Sequence, residues 1–455
     1  MTDCIQSRFE FGTHQSRSVV ADFTGPNTSS DGGALLLRQT SFKLNLIPRL
    51  AACFIDRRDQ RYVHHSVEEM LGQRVFGLAL GYEDLNDHDH LRHDSLLSLL
   101  AGKPDLTQPL AGKSTLNRLE LSTSETNRYK KIEADTAAID RLTVDLFIEA
   151  HAEPPARIVL DLDATDLPLH GQQEQRFFHG YYDEYCYLPL YIFCGEHLLC
   201  MRLRAANQDA AAGSREEVAR IVGQIREHLP QVQVILRGDS GFCRDELMTW
   251  CESNRVDFVF GLARNKRLEA QLAKTMERAH AEKKRTGKGA RLFTEFRYQT
   301  LEKTWSRERR VVGKAEVLED KENPRFVVTS LGKGKGKGKQ SAQSLYEDLY
   351  CQRGEMENRI KEQLSLFADR VSAETMRANQ ARLYLSGMAY VLVSALRRLG
   401  LVGTELARAQ ATTIRLRLFK IGAQVRVTAS RVWIQLAASF PLQELFSQVS
   451  ATLRC

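Results

Sequence analysis

The sequence predicts an α/β fold, because short apolar runs alternate with segments of helical periodicity in the middle of the chain. The runs Arg157–Leu160, Tyr185–Cys194 and His197–Leu203 have the length expected of strands, and a Gly-Glu turn between the last two predicts a hairpin. Over Ser214–Glu227 the apolar residues recur at intervals of three and four, which predicts an amphipathic helix. The predicted core therefore begins near residue 157.

Two further strands complete this predicted core. Val232–Leu236 is an apolar run, Asp245–Cys251 has a helical pattern, and Phe258–Phe260 is again apolar. The resulting order is β-β-β-α-β-α-β. Because the order of elements indicates the fold class, and a hairpin, a helix and two strands separated by a helix make up the ribonuclease H-like fold, we predict a ribonuclease H-like core.

Changes in composition and periodicity divide the whole chain into five predicted segments. Residues 1–150 are predicted to be mainly helical, residues 151–263 to form the first part of the core, and residues 264–340 to be a basic β-rich insertion. Residues 341–370 are predicted to supply a helix that completes the core, and residues 371–455 a helical C-terminal region. Within the insertion, Arg291–Ser330 alternates as strands do, and the repeat Gly332–Lys339 predicts a mobile tether.

The positive charge of the chain is concentrated in this insertion. Arg264–Lys339 contains 22 Lys or Arg against 10 Asp or Glu, a net charge of +12, whereas the whole chain carries +7 and the remainder therefore −5. Such a basic segment indicates a polyanion such as nucleic acid as partner. A solvated basic loop is the commoner alternative for charge runs in general.

Composition argues against several other classes of protein. The nine cysteines include no Cys-x2-Cys pair, so the sequence indicates neither a zinc finger nor a disulfide framework. No apolar run approaches the roughly 20 residues that span a bilayer, and the first residues lack the apolar stretch of a signal peptide. We therefore expect a cytoplasmic protein.

Carboxylates follow two of the predicted strands. Asp163 comes directly after the first strand, and Asp239 after the strand Val232–Leu236. Ionised carboxylates are costly to bring together unless a cation neutralises them, and oxygen ligands suit Mg²⁺. Two such ions activate the attacking oxygen and stabilise the leaving oxygen of a phosphodiester. Asp161 leaves the same strand on the same face and competes with Asp163, which we favour because Thr165 follows it.

A third carboxylate lies on the predicted helix after the insertion. Tyr350, Arg353 and Glu357 are spaced by three and four residues and so share one helical face, which Lys361 continues one turn later. Glu357 is a candidate metal ligand. Arg353 is suited to a phosphate, because a guanidinium binds phosphate oxygens through two parallel hydrogen bonds, and Tyr350 is suited to hydrogen bonding or stacking beside DNA.

These motifs resemble those of the bacterial DDE insertion-sequence transposases. The resemblance rests on Asp163-x-Thr165, on the stretch Ile235–Phe242 and on Tyr350-x2-Arg353-x3-Glu357, and most resembles the branch with a β-rich insertion between the second Asp and the Glu. The stretches Phe177–Asp183 and Gly81–Asp87 are also similar to that group. The likeness covers nearly the whole chain, so we expect a complete transposase.

The resemblance implies catalytic and metal-binding roles for Asp163, Asp239 and Glu357, with two Mg²⁺ or Mn²⁺ ions, in excision and strand transfer of a mobile element. It implies contacts with DNA for Tyr350 and Arg353. The helical N-terminal region would recognise terminal inverted repeats, and a homodimer would form on DNA in the bacterial cytoplasm, associated with the nucleoid. The family often has a Lys seven positions after the Glu, where this chain has Leu364; Lys361 is the candidate replacement.

Several alternatives stay open at this point. Trp305, between cations in the insertion, either stacks on an unstacked DNA base or belongs to the core of the insertion. His179, Tyr181 and Tyr182 either line the rim of the site or pack. The rival functions are a stand-alone ribonuclease H-like nuclease, which cuts DNA without joining it, and an inactive derivative that regulates its own element by binding DNA.

Overall fold

The computed structural model describes residues 8–123, 127, 129–301, 304–319, 321–334 and 339–454. In the N-terminal third, short strands alternate with helices. The strands are β1 (Phe9–His14), β2 (Arg17–Ala21), β3 (Thr28–Ser29), β4 (Phe54–Asp56) and β5 (Ile132–Ala134). The helices are α1 (Leu35–Leu44), α2 (Leu46–Ala51), α3 (Val67–Leu80), α4 (His88–Leu91), α5 (Ser95–Leu100), α6 (Lys113–Glu120) and α7 (Thr136–Glu149).

The middle of the chain contains the elements predicted for the core. Its strands are β6 (Arg157–Ala164), β7 (Leu167–Pro168), β8 (Phe177–His179), β9 (Glu184–Tyr187), β10 (Leu190–Cys194), β11 (His197–Arg202), β12 (Gln233–Gly238) and β13 (Asp257–Leu262). Its helices are α8 (Ser214–His228) and α9 (Asp245–Ser253). The strand β6 is longer than the predicted run and contains both Asp161 and Asp163.

The last third begins with the long helix α10 (Lys266–Thr286). The strands that follow are β14 (Ala290–Tyr298), β15 (Arg309–Leu318), β16 (Lys321–Glu322), β17 (Arg325–Thr329), β18 (Gly332–Lys333), β19 (Lys339–Gln340), β20 (Ala423–Val427) and β21 (Val432–Leu436). The remaining helices are α11 (Ala342–Ser344), α12 (Gly354–Ser365), α13 (Met376–Gly400), α14 (Ala411–Ile414) and α15 (Gln443–Arg454).

A nine-stranded mixed sheet organises the middle of the chain. Eight strands follow the order β11-β10-β6-β12-β13-β17-β15-β14, and β16 pairs with the last two residues of β15. The strands β6, β12 and β13 run parallel, whereas β10 and β11 form an antiparallel hairpin beside β6. The antiparallel pairing of β13 with β17 makes the strands of the predicted insertion a direct continuation of the central sheet.

The two faces of this sheet are covered by different elements. Alternate residues of β6 and β12, such as Leu160 and Leu236, pack with helices α7, α8, α9 and α10 in one core cluster. The intervening residues, such as Ile235 and Val259, pack against Leu345, Tyr346 and Leu349 on the other face. Because successive strand residues point to opposite faces, the residues Asp161, Asp163, Arg237 and Asp239 belong to this second face.

The described residues form two compact units. One contains those of 1–51, 58–119 and 395–455, and the other those of 52–57 and 120–394, which include the nine-stranded sheet. These units do not coincide with the five segments predicted from the sequence. No helix in the described part of the chain is long and apolar enough to cross a membrane.

The sequence led us to expect a helical C-terminal region, but this region also contains strands. The strands β20 and β21 form an antiparallel hairpin, and β3 from the N-terminal region pairs with β20 to make a three-stranded sheet. Alternation of apolar and polar residues in Val425–Val427 and Val432–Ile434 favours strands here. In the same unit, Asp31 is buried and accepts hydrogen bonds from Tyr82 Oη (2.7 Å) and Lys420 Nζ (2.6 Å).

The predicted glycine-lysine tether is described only at its ends. β18 and β19 pair in parallel, and Lys333 Nζ lies 2.5 Å from Glu295 Oε1. Residues 335–338, the middle of the predicted tether, lie outside the described residues.

Candidate active site

Asp163 and Asp239 lie at the carboxyl ends of two neighbouring parallel strands. In the register of this pair, Leu162 of β6 lies opposite Gly238 of β12, so the residues that follow each of them are at the same edge of the sheet. Asp239 accepts a hydrogen bond from Gly241 N (2.8 Å) and caps a 3₁₀ turn over Ser240–Phe242. The strand ends therefore bring together two carboxylates that are 76 positions apart in the sequence.

The segment that carries the third carboxylate is not the regular α-helix predicted from the spacing. It is a π-helix over Leu345–Tyr350, then a 3₁₀ turn over Cys351–Arg353, and only then the α-helix α12. π-helical turns occur often at functional sites. Leu345, Tyr346 and Leu349 pack on the second face of the sheet, and the end of this π-helix contacts Arg237 of β12 through the carbonyl oxygen of Leu349.

Arg353 joins the carboxylates of two different elements. Its Nη1 lies 3.3 Å from Asp163 Oδ2, and its Nη2 lies 3.8 Å from Glu357 Oε1. The side chains of Arg353 and Asp163 are 19% and 14% exposed, whereas that of Glu357 is 55% exposed. The helix that carries Glu357 therefore lies on the same face of the sheet as Asp163 and Asp239, with a guanidinium between the acidic groups.

The electrostatics of Asp163 reflect this crowding. The pKa of Asp163 is raised to about 6, mainly by burial and also by the charges of Asp239 and Glu357, while the charge of Arg353 acts in the opposite direction. Burial alone would lower the pKa of Arg353, but the charges of Asp163, Asp239, Tyr350 and Glu357 outweigh burial and raise it. The three carboxylates thus interact with one another and with a single cation.

Asp161 has a different set of partners from Asp163. It forms two hydrogen bonds with the buried guanidinium of Arg237, from Nε to Oδ1 (2.5 Å) and from Nη2 to Oδ2 (2.7 Å). Arg237 also donates to the carbonyl oxygen of Leu349 at the end of the π-helix. Asp161 therefore holds the arginine that anchors the segment leading to Tyr350, and Asp163 is the one of the two that faces Arg353.

Tyr350 packs against the next strand of the sheet. A methyl group placed on Gly261 of β13 would lie 2.6 Å from Tyr350 Oη, and also close to the backbone of Asp239 and Ser240. The lack of a side chain at Gly261 therefore makes room for the phenol beside Asp239. Burial raises the pKa of Tyr350, with Arg353 acting in the opposite direction and Asp239 adding to the rise.

The remaining predicted DNA contacts lie in different environments. Lys361 is exposed on α12, one turn beyond Glu357. Trp305 is only 5% exposed and lies in the main core cluster, where its ring packs edge-on against Tyr298 at 5.7 Å. The guanidinium of Arg309 lies over the indole ring at 5.7 Å. The indole thus offers no free face to a base, and Trp305 is not among the contacts proposed below.

The donor set of this site suits a hard divalent cation, since carboxylate oxygens are the ligands that Mg²⁺ and Mn²⁺ prefer. Within the described residues, no three His, Cys, Asp or Glu side chains are close enough to one another to share a metal ion. Arg353 instead supplies the positive charge between Asp163 and Glu357. The carboxylate oxygens are therefore of the type that binds a divalent metal, and in this structure the guanidinium of Arg353 supplies the positive charge beside them.

Sequence reasoning missed the role of Arg237 and of the glycine at 261. Arg237 lies two residues before Asp239, within the stretch Ile235–Phe242, where the sequence predicted a role only for the aspartate. A charged residue inside an otherwise apolar strand was the available signal, because buried charges require partners. The signal at Gly261 was weaker, since a single glycine in a strand also occurs at bulges.

Comparison with protein families gives one match over nearly the whole sequence. The model described as transposase DDE domain group 1 matches residues 11–455. The chain belongs to this family. The protein is therefore a DDE transposase, and DDE transposases generally act with divalent metal ions.

Among solved structures, this transposase is similar to the cryo-EM structure of the piggyBac transposase synaptic complex with hairpin DNA. The TM-score is 0.39 and the sequence identity 12%, and the match covers 95% of this chain and 84% of that chain. At this level the similarity assigns no role to any residue. A comparison with functionally curated proteins gives no match.

Proposed function

We propose that this transposase cuts DNA at the ends of its mobile element and joins the freed ends to target DNA, with Asp163, Asp239 and Glu357 as its catalytic and metal-binding residues. The observation that carries the proposal is the pair of contacts made by Arg353. One guanidinium reaches a carboxylate at the end of β6 and another on α12, beside a third at the end of β12. One guanidinium thus contacts two acids distant in sequence and is influenced by the charge of the third.

The proposed core is ribonuclease H-like. In its support, the five strands β11-β10-β6-β12-β13 consist of an antiparallel hairpin followed by parallel strands. In the expected order, α8 connects the hairpin strand β11 to β12, and α9 connects β12 to β13. The carboxyl ends of parallel strands are the usual location of a functional site in open α/β sheets, and the first two proposed acids lie there.

The residues of the chain have separate tasks in this proposal. When bound by the three carboxylates, two Mg²⁺ or Mn²⁺ ions supply an activated attacking oxygen and stabilise the leaving oxygen of the phosphodiester. Arg353 holds the carboxylates together in their absence, and its planar fork suits a phosphate oxygen of the DNA. Tyr350 fixes the position of Arg353 against the sheet, and Lys361 extends the same surface with a positive charge.

The rest of the chain is proposed to select and assemble the substrate. The N-terminal region would recognise terminal inverted repeats, and the basic segment Arg264–Lys339 would bind the phosphate backbone. A homodimer would hold two ends together, as the family resemblance implies. In a bacterial host the protein would act in the cytoplasm at the nucleoid.

The proposal is tested with Asp239→Asn and Glu357→Gln, assayed for cleavage and joining of end-containing DNA with Mg²⁺ or Mn²⁺. Both variants should lose cleavage by at least ~100-fold, the scale seen when one charge-stabilising group is removed, while they still bind DNA. Glu355→Gln is the matched control, because positions two apart on an α-helix point in different directions, and it should keep activity.

Each rival function predicts a different outcome of this assay. Wild-type protein that cuts but never joins would be a nuclease, and protein that binds ends without cutting would be a regulator. Full activity of either Asp239→Asn or Glu357→Gln would remove that residue from the catalytic set.

A further inference from the structure

A three-stranded aromatic ribbon, which we define as residues 167–187, lies next to the proposed catalytic carboxylates. Its strands β8 and β9 pair with each other, and β9 also pairs with β7. β7 follows β6 after two residues, and β9 is followed by β10, in which Tyr191 lies opposite Asp163. Both ends of the ribbon therefore leave the sheet within a few residues of Asp163.

The ribbon exposes an unusual number of aromatic rings. Phe177 is 40% exposed, Phe178 52%, Tyr185 44% and Tyr181 85%. Burying one such ring contributes on the order of 2–3 kcal/mol, so four exposed rings on one short ribbon indicate a binding surface. No structural task within the described residues requires Tyr181 at the tip of the ribbon to be this exposed.

The arrangement of these rings suits stacking. Phe178 and Tyr185 lie opposite each other on neighbouring strands, with ring centroids 5.6 Å apart and an edge-to-face angle of 73°. The guanidinium of Arg176 lies 4.1 Å from the centroid of Tyr185. At the tip, Tyr181 packs edge-on against Tyr182 at 5.0 Å, and Tyr182 contacts the ring of His179. The rings therefore contact one another in two groups, and Phe178, Tyr181 and Tyr185 each stay at least 44% exposed.

The acidic groups around the ribbon restrict what it can bind. Burial, together with the negative charges of Asp166 and Asp163, raises the pKa of Tyr182 to about 12. Asp166 and Glu184 interact directly with each other beside the ribbon. This negative charge disfavours a phosphate backbone, whereas the amino groups of adenine, cytosine and guanine donate hydrogen bonds to carboxylates.

We propose that the aromatic ribbon stacks on unpaired nucleobases of the DNA strand whose phosphate lies at Asp163. Bases inside a duplex present their faces to one another, so only bases that have left the stack are accessible to Phe178, Tyr181 and Tyr185. Stacking of this kind tolerates any base sequence. The inference rests on the proposed function, since it takes the strand that is cut to be the strand that is bound.

The test measures binding without cleavage. End-containing DNA carries 2-aminopurine at successive positions beside the cleavage point, in fully paired form and with two mismatched pairs, and is titrated with protein in Ca²⁺. The fluorescence of 2-aminopurine falls when an aromatic ring stacks on it. Wild-type protein should quench it beside the cleavage point, and should bind the mismatched end more tightly than the paired end.

The variant Phe178→Ala with Tyr181→Ala should abolish the quenching and weaken binding of the mismatched end by about 5- to 100-fold, the range for loss of one stacked base. Binding of the paired end should change by less than twofold. The double variant Phe178→Tyr with Tyr181→Phe keeps an aromatic ring at both positions, so it should show the same quenching and the same tighter binding of the mismatched end as the wild type. Tyr129→Ala, which removes a 61% exposed ring elsewhere in the same unit, should have no effect.

Two results would overturn the inference. One is an absence of quenching in the wild type at every labelled position, and the other is an equal weakening of paired and mismatched ends in Phe178→Ala with Tyr181→Ala, which would indicate a protein or backbone contact instead. Both are independent of catalysis, whereas retained cleavage in Asp239→Asn would refute the proposed function and leave the stacking signals as measured.

Discussion

Replacing Asp161 with alanine should lower the free energy of unfolding by about 3–5 kcal/mol, the scale for breaking a buried ion pair from one side. Asp161 is 4% exposed and Arg237 5% exposed, so water would solvate the abandoned guanidinium poorly. The substitution removes two charge-assisted hydrogen bonds, of 2.5 and 2.7 Å. At ~1.5–3 kcal/mol for each bond, the two bonds give about 3–6 kcal/mol, which overlaps that range.

Asp163→Ala is the matched comparison, because the two acids lie on the same face of β6. Burial raises the pKa of Asp163 to about 6, so its ionised form is disfavoured in the metal-free protein. At ~1.4 kcal/mol per pKa unit, this rise destabilises the folded protein by up to about 3 kcal/mol near pH 7, so removing Asp163 should raise the free energy of unfolding by up to that amount, although it should abolish cleavage. If Asp161→Ala lowers the free energy of unfolding and Asp163→Ala does not, Asp161 has a structural role that Asp163 lacks.

Urea unfolding at pH 7 without metal, followed by circular dichroism and by intrinsic fluorescence, measures both variants. Asp161→Leu combined with Arg237→Met should recover most of the lost stability, because an apolar pair removes the stranded charge. The recovered variant should still cleave DNA poorly, since the bond from Arg237 to the Leu349 carbonyl oxygen is gone. Equal destabilisation by Asp161→Ala and Asp163→Ala would refute this reasoning.

Two other features make testable predictions. Gly261→Ala places a methyl group 2.6 Å from Tyr350 Oη; overpacking of this kind costs about 1–3 kcal/mol, and cleavage assays should show a loss of activity larger than the loss of DNA binding. Burial, together with the charge of Arg74, lowers the pKa of His88 to about 3. The unfolded chain therefore binds the proton more readily than the folded protein does. Stability should fall by ~1.4 kcal/mol per pH unit as the pH drops below about 6.5. Urea midpoints at pH 7, 5 and 4 should show a smaller decline in His88→Gln and the normal decline in the exposed control His90→Gln; an unchanged slope in His88→Gln would contradict the assignment.

Local patterns in the sequence were sufficient to locate the strands that hold the first two acids. The apolar run before Asp163 and the run before Asp239 correspond to β6 and β12, and the amphipathic pattern over Ser214–Glu227 corresponds to α8. These signals are local, because burial of one face imposes a period on the sequence itself. The residues of the candidate site could be named for the same reason.

Long-range pairing and helix type were not predictable in this way. The sequence does not reveal that β17 pairs with β13, because strand partners far apart in the chain leave no periodic signal. A π-helix over Leu345–Tyr350 follows from tertiary packing on the sheet and has no compositional signature. The different partners of Asp161 and Asp163 were likewise not predictable, because only the pairing of β6 with β12 brings Arg237 alongside Asp161.

The pairing of β13 with β17 has a consequence for how this protein can change. Four consecutive pairs, from Val259–Thr329 to Leu262–Phe326, join the two strands. Deleting residues 264–340 would remove β17, the hydrogen-bonded neighbour on one side of β13. β13 would then be an unpaired, apolar edge strand that can pair with other chains, which is a recognised cause of aggregation. Residues 264–340 therefore cannot be deleted as an independent module. Variants in which this segment is shortened or replaced should stay soluble only if the new sequence supplies a strand that pairs with β13.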